Sequence, residues 1–223
     1  MTTKKSMDLF GEALKAYAHG DRDKFYFKDS SGELFEHNLN RYFRSSNRLL
    51  KSEKKLISLA YGDILDVGCG TGNYISLLEK QGKVTAIDIS SDVIDVARAS
   101  GCGSCKVGDI FNFSAQKKYD TITFLENGLG IGGSVDSARK LLRVVHGLLK
   151  KDGHALATVR RLSDRNYFIS ELMPVWKGKV GPKFGWIHFN INFLSGLCGE
   201  AGLKLKVLQG NQYSYLVEIV KDK

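Results

Sequence analysis

Ten consecutive residues, Ile64-Leu-Asp-Val-Gly-Cys-Gly-Thr-Gly-Asn73, carry the most specific chemistry in the chain. Glycine lets a chain turn sharply and lets a ligand touch bare backbone. Gly68, Gly70 and Gly72 lie between an apolar strand and a helix. The helix start is expected to offer unpaired N–H groups to an anionic part of a ligand. A dinucleotide-binding loop wants Gly-x-Gly-x-x-Gly, and its third glycine would fall on Asn73. The spacing here is Gly-x-Gly-x-Gly, preceded by an acid, Asp66. Two further acids end strands. Asp88, 18 residues past Gly70, can accept both hydroxyls of a ribose. Asp109, after Val107-Gly108, falls at the same rim and could accept from an adenine amino group.

These residues need a scaffold, and the hydrophobic pattern supplies one. Residues 63–67, 84–88, 105–109, 119–125 and 153–159 read as strands, and 74–80, 92–99 and 135–150 as helices. Such alternation implies a parallel sheet covered on both faces. Residues 190–201 read as a helix stopped by Gly202. The strands at 203–208 and 213–220 are joined by Gln209-Gly-Asn-Gln212, too short for a helical crossover, so they must pair antiparallel or leave the sheet. Ahead of all this lie a helix (6–19), a hairpin (25–37) around Asp29-Ser-Ser-Gly32, and a second helix (45–60). Residues 163–189 hold both Trp and both Pro and read as an irregular aromatic stretch. The expected fold is therefore α/β. A small helix-and-hairpin appendage (1–60) precedes a doubly wound, seven-stranded, mostly parallel sheet with an antiparallel last strand (61–223), carrying an aromatic insert at 163–189.

Residues 63–160 resemble the class I, Rossmann-like, S-adenosylmethionine-dependent methyltransferases. Asp66-Val-Gly-Cys-Gly-Thr-Gly72, the strand ends at Asp88 and Gly108-Asp109, and the Tyr119-Asp120 strand match that class in order and spacing. The likeness extends over most of 61–220, including the terminal strand pair. It implies S-adenosylmethionine as cofactor. It also implies that Asp66, Gly68, Cys69, Gly70 and Gly72 cradle the methionine end and ribose, that Asp88 with Ile89 holds the ribose hydroxyls, and that Asp109 and Ile110 meet the adenine. Leu125, Glu126 and Asn127 would meet the methionine ammonium. Tyr42-Phe-Arg-Ser45, Leu59-Ala-Tyr-Gly62, the run Leu125–Gly133 and Phe184-Gly-Trp-Ile-His188 resemble a bacterial small-molecule branch of the class. Arg44 could then pair with the cofactor carboxylate through a bidentate guanidinium.

Methyl transfer from a sulfonium is an in-line displacement, for which a protein supplies mainly positioning and desolvation. A nitrogen or oxygen acceptor must also lose a proton. The candidate groups are His188, in the aromatic segment expected to face the methyl, and Glu126, just past the fourth strand. Tyr167, Trp176 and Trp186 could wall an acceptor pocket. No role is assigned to His19, His37, His146 or His154. After the fourth strand the run is Leu125-Glu-Asn-Gly-Leu-Gly130, without the Asn/Asp-Pro-Pro-Tyr/Phe signature of enzymes that methylate base amines or glutamine amides. No cysteine pair is placed like the nucleophiles of C5-pyrimidine enzymes.

Composition bounds the rest. A chain of 223 residues, 43% hydrophobic, can bury its own core without a metal or disulfide staple. No apolar run nears the ~18 residues of a membrane helix. The opening Met1-Thr-Thr-Lys-Lys-Ser-Met-Asp8 carries no signal-peptide core, which points to the cytoplasm. There the four cysteines (Cys69, Cys102, Cys105, Cys198) are expected as free thiols, with the Cys102-Gly-Ser-Cys105 spacing a coincidence and no metal site. The net charge of +9 sits at the two ends of the chain, while residues 61–150 are balanced. The function expected is methyl transfer to a small molecule, and the basic ends would suit an anionic one. The alternative is an RNA-directed methyltransferase or RNA-binding protein using the basic ends. The sequence says nothing of oligomeric state.

Overall fold

The computed structural model describes residues 3–222; Met1 and Thr2, part of the opening segment read above, lie outside the described residues. The chain begins with α1 (Thr3–Ala18), the hairpin β1 (Tyr26–Asp29) and β2 (Leu34–Glu36), and α2 (Lys51–Leu59). The alternating half follows: β3 (Gly62–Val67), α3 (Ile75–Leu78), β4 (Gly82–Asp88), α4 (Ser91–Ala99), β5 (Cys105–Val107), β6 (Tyr119–Phe124), α5 (Val135–Leu148) and β7 (Leu149–Arg160). The last part holds β8 (Tyr167–Trp176), β9 (Lys179–Val180), β10 (Phe184–Phe189), α6 (Ile191–Glu200), β11 (Leu203–Gly210) and β12 (Ser214–Lys221).

Seven of these strands form one sheet in the order β11-β12-β7-β6-β3-β4-β5. β3 pairs parallel with β4 and β6, and β6 parallel with β7. β12 alone runs against its neighbours, β7 and β11, as the short turn at 211–213 requires. Its central strands are apolar on both faces: Ile64, Leu65, Ile122 and Phe124 are fully buried, as helix-covered parallel strands should be. α5 shows how the pattern fixes a helix. The Ser134 hydroxyl accepts from the Ser137 N–H at the start, and Ala138, Leu141, Leu142 and Val145 face the core. The chain passes straight from α5 into β7 through Leu149, whose extended backbone ends the helix.

The aromatic insert departs from the sequence expectation. Residues 163–189 are not irregular: β8, β9 and β10 lie there, and β8 pairs antiparallel with both β10 and β1. The N-terminal hairpin and the insert thus share a second sheet, β10-β8-β1-β2. The strand signal was hidden because Gly, Pro and aromatic residues alternate on both faces, and because β8 pairs with strands remote in sequence. One face of this sheet carries Ile187 and Phe189 into the main core beside Ile169. By register, His188, Trp186 and Phe184 share the opposite face with Phe168, Ser170 and Leu172. The segment 45–60 also differs: two 3-10 turns (Leu39–Phe43 and Ser46–Arg48) precede an α-helix that begins only at Lys51.

Two of the four cysteines depart from the free-thiol expectation. Cys102 and Cys105 are joined as a disulfide across the turn between α4 and β5, with their Cα atoms 5.6 Å apart, while Cys69 and Cys198 are free and buried. A four-residue turn that starts a strand brings the two side chains to the same side, so the spacing is no coincidence. Among the described residues no helix is long and apolar enough to cross a membrane, and no three or more His, Cys, Asp or Glu side chains gather as a metal site.

Candidate active site

The parallel strands point their carboxyl ends at one rim, where α/β sheets place ligands. β3 ends in the glycine loop, β4 in Asp88, β5 two residues before Asp109, and β6 at Leu125–Asn127. Gly68, Gly70 and Gly72 adopt left-handed φ of +74°, +56° and +82°, a conformation that other residues resist. A Cβ on Gly68 would meet nothing within 4 Å, so the loop leaves open space above its backbone. Four of the loop N–H groups are satisfied within the fold: those of Gly68 and Cys69 donate to the Ile87 carbonyl, that of Gly70 to Asp88 Oδ2 at 3.1 Å, and that of Gly72 to the Cys69 carbonyl. α3, which follows, is four residues long. The loop offers a ligand bare backbone and open space.

Among the described residues only two buried side-chain polar atoms have no hydrogen-bond partner, and both flank this loop: Asp66 Oδ2, an acceptor, and Asn73 Nδ2, a donor. Orphaned buried groups are costly, and a pair of them at one loop asks for a ligand that both donates and accepts. A zwitterionic amino-acid end, with an ammonium and a carboxylate, meets both demands. The residues present therefore fit S-adenosylmethionine. Asn73 entered the sequence analysis only as a missing glycine; nothing in its type marked the orphaned amide.

Burial pushes the Asp66 carboxyl up to about 6, against the Thr123 hydroxyl that donates to Oδ1 at 2.6 Å, with the nearby Asp88 adding to the rise. A carboxyl raised in the folded state binds protons there that the unfolded chain has released. It therefore costs stability as pH rises from about 4 through 6. A cationic ligand reverses this by drawing the group down and releasing a proton. Affinity for S-adenosylhomocysteine, whose ammonium is that of the cofactor, should rise between pH 5 and pH 7, by about fivefold or more. Asp66→Asn should flatten that rise in a calorimetric titration; an unchanged slope would remove Asp66 from the ammonium.

The other expected site residues divide. Asp88 accepts from the Gly70 and Ser90 N–H groups, one on each oxygen, and burial holds its pKa above the ordinary value. Asp109 spends both oxygens on the following turn, accepting from the Phe111 N–H and the Asn112 amide. Ile110 is buried in the main core, Leu125 is buried in the neighbouring one, and Ile89 is half-buried. Cys69 is buried, and its thiol is pushed far up by burial, so it is inert. Glu126 and Asn127 hold left-handed φ of +49° and +63° without being glycine, a strained pair at the strand end.

Glu126 is gripped from three sides. Arg44 Nη2 lies 2.7 Å from its Oε1, the Tyr74 hydroxyl 3.0 Å from the same oxygen, and Arg41 Nη2 2.6 Å from Oε2. The same Arg44 nitrogen reaches Glu53 Oε1 at 2.7 Å, and Glu53 is only 3% exposed. The N-terminal segment is thereby clamped onto the rim. Tyr42 follows it, laying its ring beside Gly70, while Thr71 Oγ1 donates to the Tyr42 carbonyl. The Tyr42 hydroxyl meets His37 Nε2 at 2.9 Å. Burial, helped by Arg41, lowers His37 to about 4, so this imidazole is neutral at pH 7. In sequence Tyr42 enters only through the Tyr42-Phe-Arg-Ser45 run and His37 carries no role, because nothing in their local pattern sets Tyr42 beside a loop about 30 residues on.

His188 does reach the rim. The Arg160 N–H donates to Asn127 Oδ1 at 3.0 Å, which turns the Asn127 amide nitrogen toward His188 Nδ1 at 3.1 Å. Nδ1 must then accept, and the ring proton sits on Nε2, 3.2 Å from Ser170 Oγ. Burial, with Arg160 nearby, lowers His188 to about 4. The Gly128–Gly133 run lets β10 come this close: a Cβ on Gly130 would strike Trp186 Nε1 and the Ile187 carbonyl. Of the three aromatic residues proposed as pocket walls, Trp176 is buried against α1, Tyr167 is 42% exposed on the face opposite His188, and Trp186 lies on the His188 face.

Comparison with known proteins agrees with this geometry. Residues 64–153 match the family model of a methyltransferase domain. The solved S-adenosylmethionine-dependent methyltransferase from Bacteroides fragilis, in complex with S-adenosyl-L-homocysteine, superposes with a TM-score of 0.88 at 26% identity, covering 100% of this chain and 98% of that one. Residues 64–153 carry a methyltransferase domain, and the whole chain has the fold of that S-adenosylmethionine-dependent methyltransferase. The ubiquinone biosynthesis O-methyltransferase of Xylella fastidiosa is 37% identical to it over 97 residues, 43% of this chain and 39% of that protein. This chain spans little more than a third of the length of the curated relatives it matches. The sugar N-methyltransferase KedS8 from Streptoalloteichus shares the methyltransferase fold, with a TM-score of 0.62 at 13% identity over 86% of this chain and 96% of that one.

Proposed function

We propose that this protein transfers a methyl group from S-adenosylmethionine to a small-molecule acceptor, with residues 61–223 as the catalytic domain and residues 1–60 closing over the cofactor. The observation that carries this reading is the convergence, at one rim, of the open glycine loop, Asp88, the orphaned Asp66 and Asn73 atoms, and the Asn127–His188 pair. When bound, the cofactor supplies a methyl already activated on a sulfonium. Asp88 would accept from the ribose hydroxyls, Asp66 from the ammonium, and Asn73 would donate to the carboxylate. Gly68, Cys69, Gly70 and Gly72 would line the bare-backbone side, with Ile89 and Ile110 beside the adenine and Leu125, Glu126 and Asn127 at the methionine end. Asp109, each of whose oxygens can accept a second hydrogen bond, would meet the adenine.

Arg44 supports a different role from carboxylate binding, since its guanidinium is engaged by Glu53 and Glu126. Glu126, already held by two arginines, is better suited to fastening the N-terminal segment than to receiving an amine. His188 is neutral and fixed in one tautomer, with its lone pair on Asn127 and its N–H on Ser170. It therefore orients an acceptor group beside Ser170, and could take a proton only by releasing Asn127.

The relatives named for ubiquinone biosynthesis and sugar N-methylation support a small acceptor over an RNA. Incubation with methyl-labelled cofactor and a small-molecule extract of the host should yield a labelled small product; label recovered in RNA instead would overturn the proposal. With that product in hand, His188→Asn should lower kcat/KM by about tenfold, the worth of one oriented neutral hydrogen bond. A loss of about a thousandfold would instead mark His188 as the proton acceptor.

A further inference from the structure

β6 and β7 are parallel neighbours, so their carboxyl ends lie side by side at the rim, next to the glycine loop that ends β3. β6 leads into Glu126 and Asn127, and β7 ends at Arg160. By the two-residue alternation of a strand, Arg160 shares a face with Thr158, whose hydroxyl accepts the Asn127 N–H at 3.1 Å. The Arg160 N–H in turn donates to Asn127 Oδ1. β10 closes the third side through His188, which meets the Asn127 amide and feels the Arg160 charge. Arg160, Asn127 and His188 thus stand together beside the place assigned above to the methionine end of the cofactor.

This corner offers a ligand donors. An amide nitrogen carries two N–H groups, and Asn127 uses one on His188 Nδ1. Oδ1 of the same amide takes the Arg160 N–H, and the His188 ring proton goes to Ser170. Arg160 is exposed, and among the described residues its guanidinium has no carboxylate or carbonyl partner. Asn127 holds its left-handed φ of +63° where glycine would be unstrained, and what its side chain adds there is this amide.

The charges on the surrounding elements leave a positive surplus. Glu126 is held by Arg41 and Arg44, and Asp164 by Arg165, whose guanidinium also lies over the Phe168 ring. Arg161 donates to the Asn211 carbonyl and lies over the Tyr215 ring, but no carboxylate among the described residues pairs with it. The Gly128–Gly133 run and β10 bring no charged side chain, since His188 is neutral at pH 7. Arg160 and Arg161 are therefore left over, and of the two only Arg160 touches the Asn127 amide.

We propose that Arg160 selects the acceptor: its guanidinium takes a carboxylate or phosphate carried by a small-molecule acceptor, the second Asn127 N–H assists, and the rest of the molecule extends from there toward the glycine loop. A planar guanidinium can meet either oxyanion with two parallel hydrogen bonds. An acceptor with an ammonium in that place would meet like charge. The anion is held apart from the reacting atom, so Arg160 decides which molecules bind and takes no part in the displacement itself. This rests on the small-molecule methyltransferase reading above.

The test uses the full chain saturated with S-adenosylhomocysteine and three probes, 3-(4-hydroxyphenyl)propionate, phenyl phosphate and tyramine, followed by ligand-observed saturation-transfer NMR. At least one of the two anions should bind and tyramine should not; the tighter anion identifies the oxyanion preferred. Arg160→Gln should weaken that anion by at least about tenfold, as loss of a charged hydrogen-bond partner dictates. Arg160→Lys keeps the charge without the fork and should restore only part of the affinity. Arg161→Gln removes the same charge one residue on and should change the affinity little. Tyramine binding as tight as the anions, no binding of either anion, indifference to Arg160→Gln, or an equal loss in Arg161→Gln overturns the assignment of Arg160. Calorimetry with S-adenosylhomocysteine on the same samples separates the two readings: no cofactor binding by the parent sinks the methyltransferase proposal itself, whereas normal cofactor binding with any of those four results sinks only the role of Arg160.

Discussion

Replacing Asp88 by Ala is expected to weaken S-adenosylhomocysteine by at least about a hundredfold, because each hydrogen bond to a charged group is worth ~1.5–3 kcal/mol and a ribose supplies two. The carboxylate also holds the Gly70 and Ser90 N–H groups, so its loss slackens the glycine loop as well. Asp88→Asn separates the two contributions. The amide keeps one acceptor oxygen and nearly the same shape, so it should retain part of the affinity while the Ala variant retains almost none. Isothermal titration on folded samples, checked by circular dichroism, reads both. An Ala variant that binds as tightly as the parent would move the ribose elsewhere on the rim and undo the assignment of the β4 end.

The second large effect belongs to stability. Arg44→Ala should lower the unfolding free energy by about 3–5 kcal/mol, the usual penalty for removing one partner of a buried ion pair. Glu53 is 3% exposed and Glu126 is part-buried; both lose their shared guanidinium nitrogen, leaving Tyr74 and the Leu50 N–H to satisfy Glu53 alone. The denaturation midpoint in urea should fall accordingly. Glu53→Gln/Arg44→Met removes both charges and should recover much of the loss. If Arg44 instead holds the cofactor carboxylate, the Ala variant would unfold at nearly the parent midpoint while its S-adenosylhomocysteine Kd rises. The two roles thus give opposite patterns in the two measurements.

The local signals were legible in proportion to how local they are. The glycine loop, Asp88 and the strand-helix alternation lie within contiguous stretches, and left-handed φ at Gly68, Gly70 and Gly72 follows directly from residue type. The antiparallel terminal pair followed from a loop too short to cross over. What escaped depends on contacts between distant segments. β8 finds β1 some 145 residues upstream, and no periodicity in 163–189 announces that partner. Tyr42, with His37 behind its hydroxyl, reaches the glycine loop from the N-terminal segment. Glu126 was read as a group for the acceptor because its position at the strand end is visible in sequence, while the arginines that occupy it are not. Asp109 illustrates an ambiguity of type: an acid at a strand end serves equally as a ligand group and a turn cap, and here it accepts from the Phe111 N–H.

The antiparallel seam between β1 and β8 also fixes an order of events during synthesis. A polypeptide emerging from the ribosome exposes the hairpin long before its partner strand has been made. Until residues beyond 176 leave the exit tunnel, the β8-facing side of β1 has no partner, while the central parallel strands β3, β4, β5, β6 and β7 have already been made. The covering hairpin is thus made well ahead of the strand that fastens it. The cleft beneath it can close only once β8 has been made.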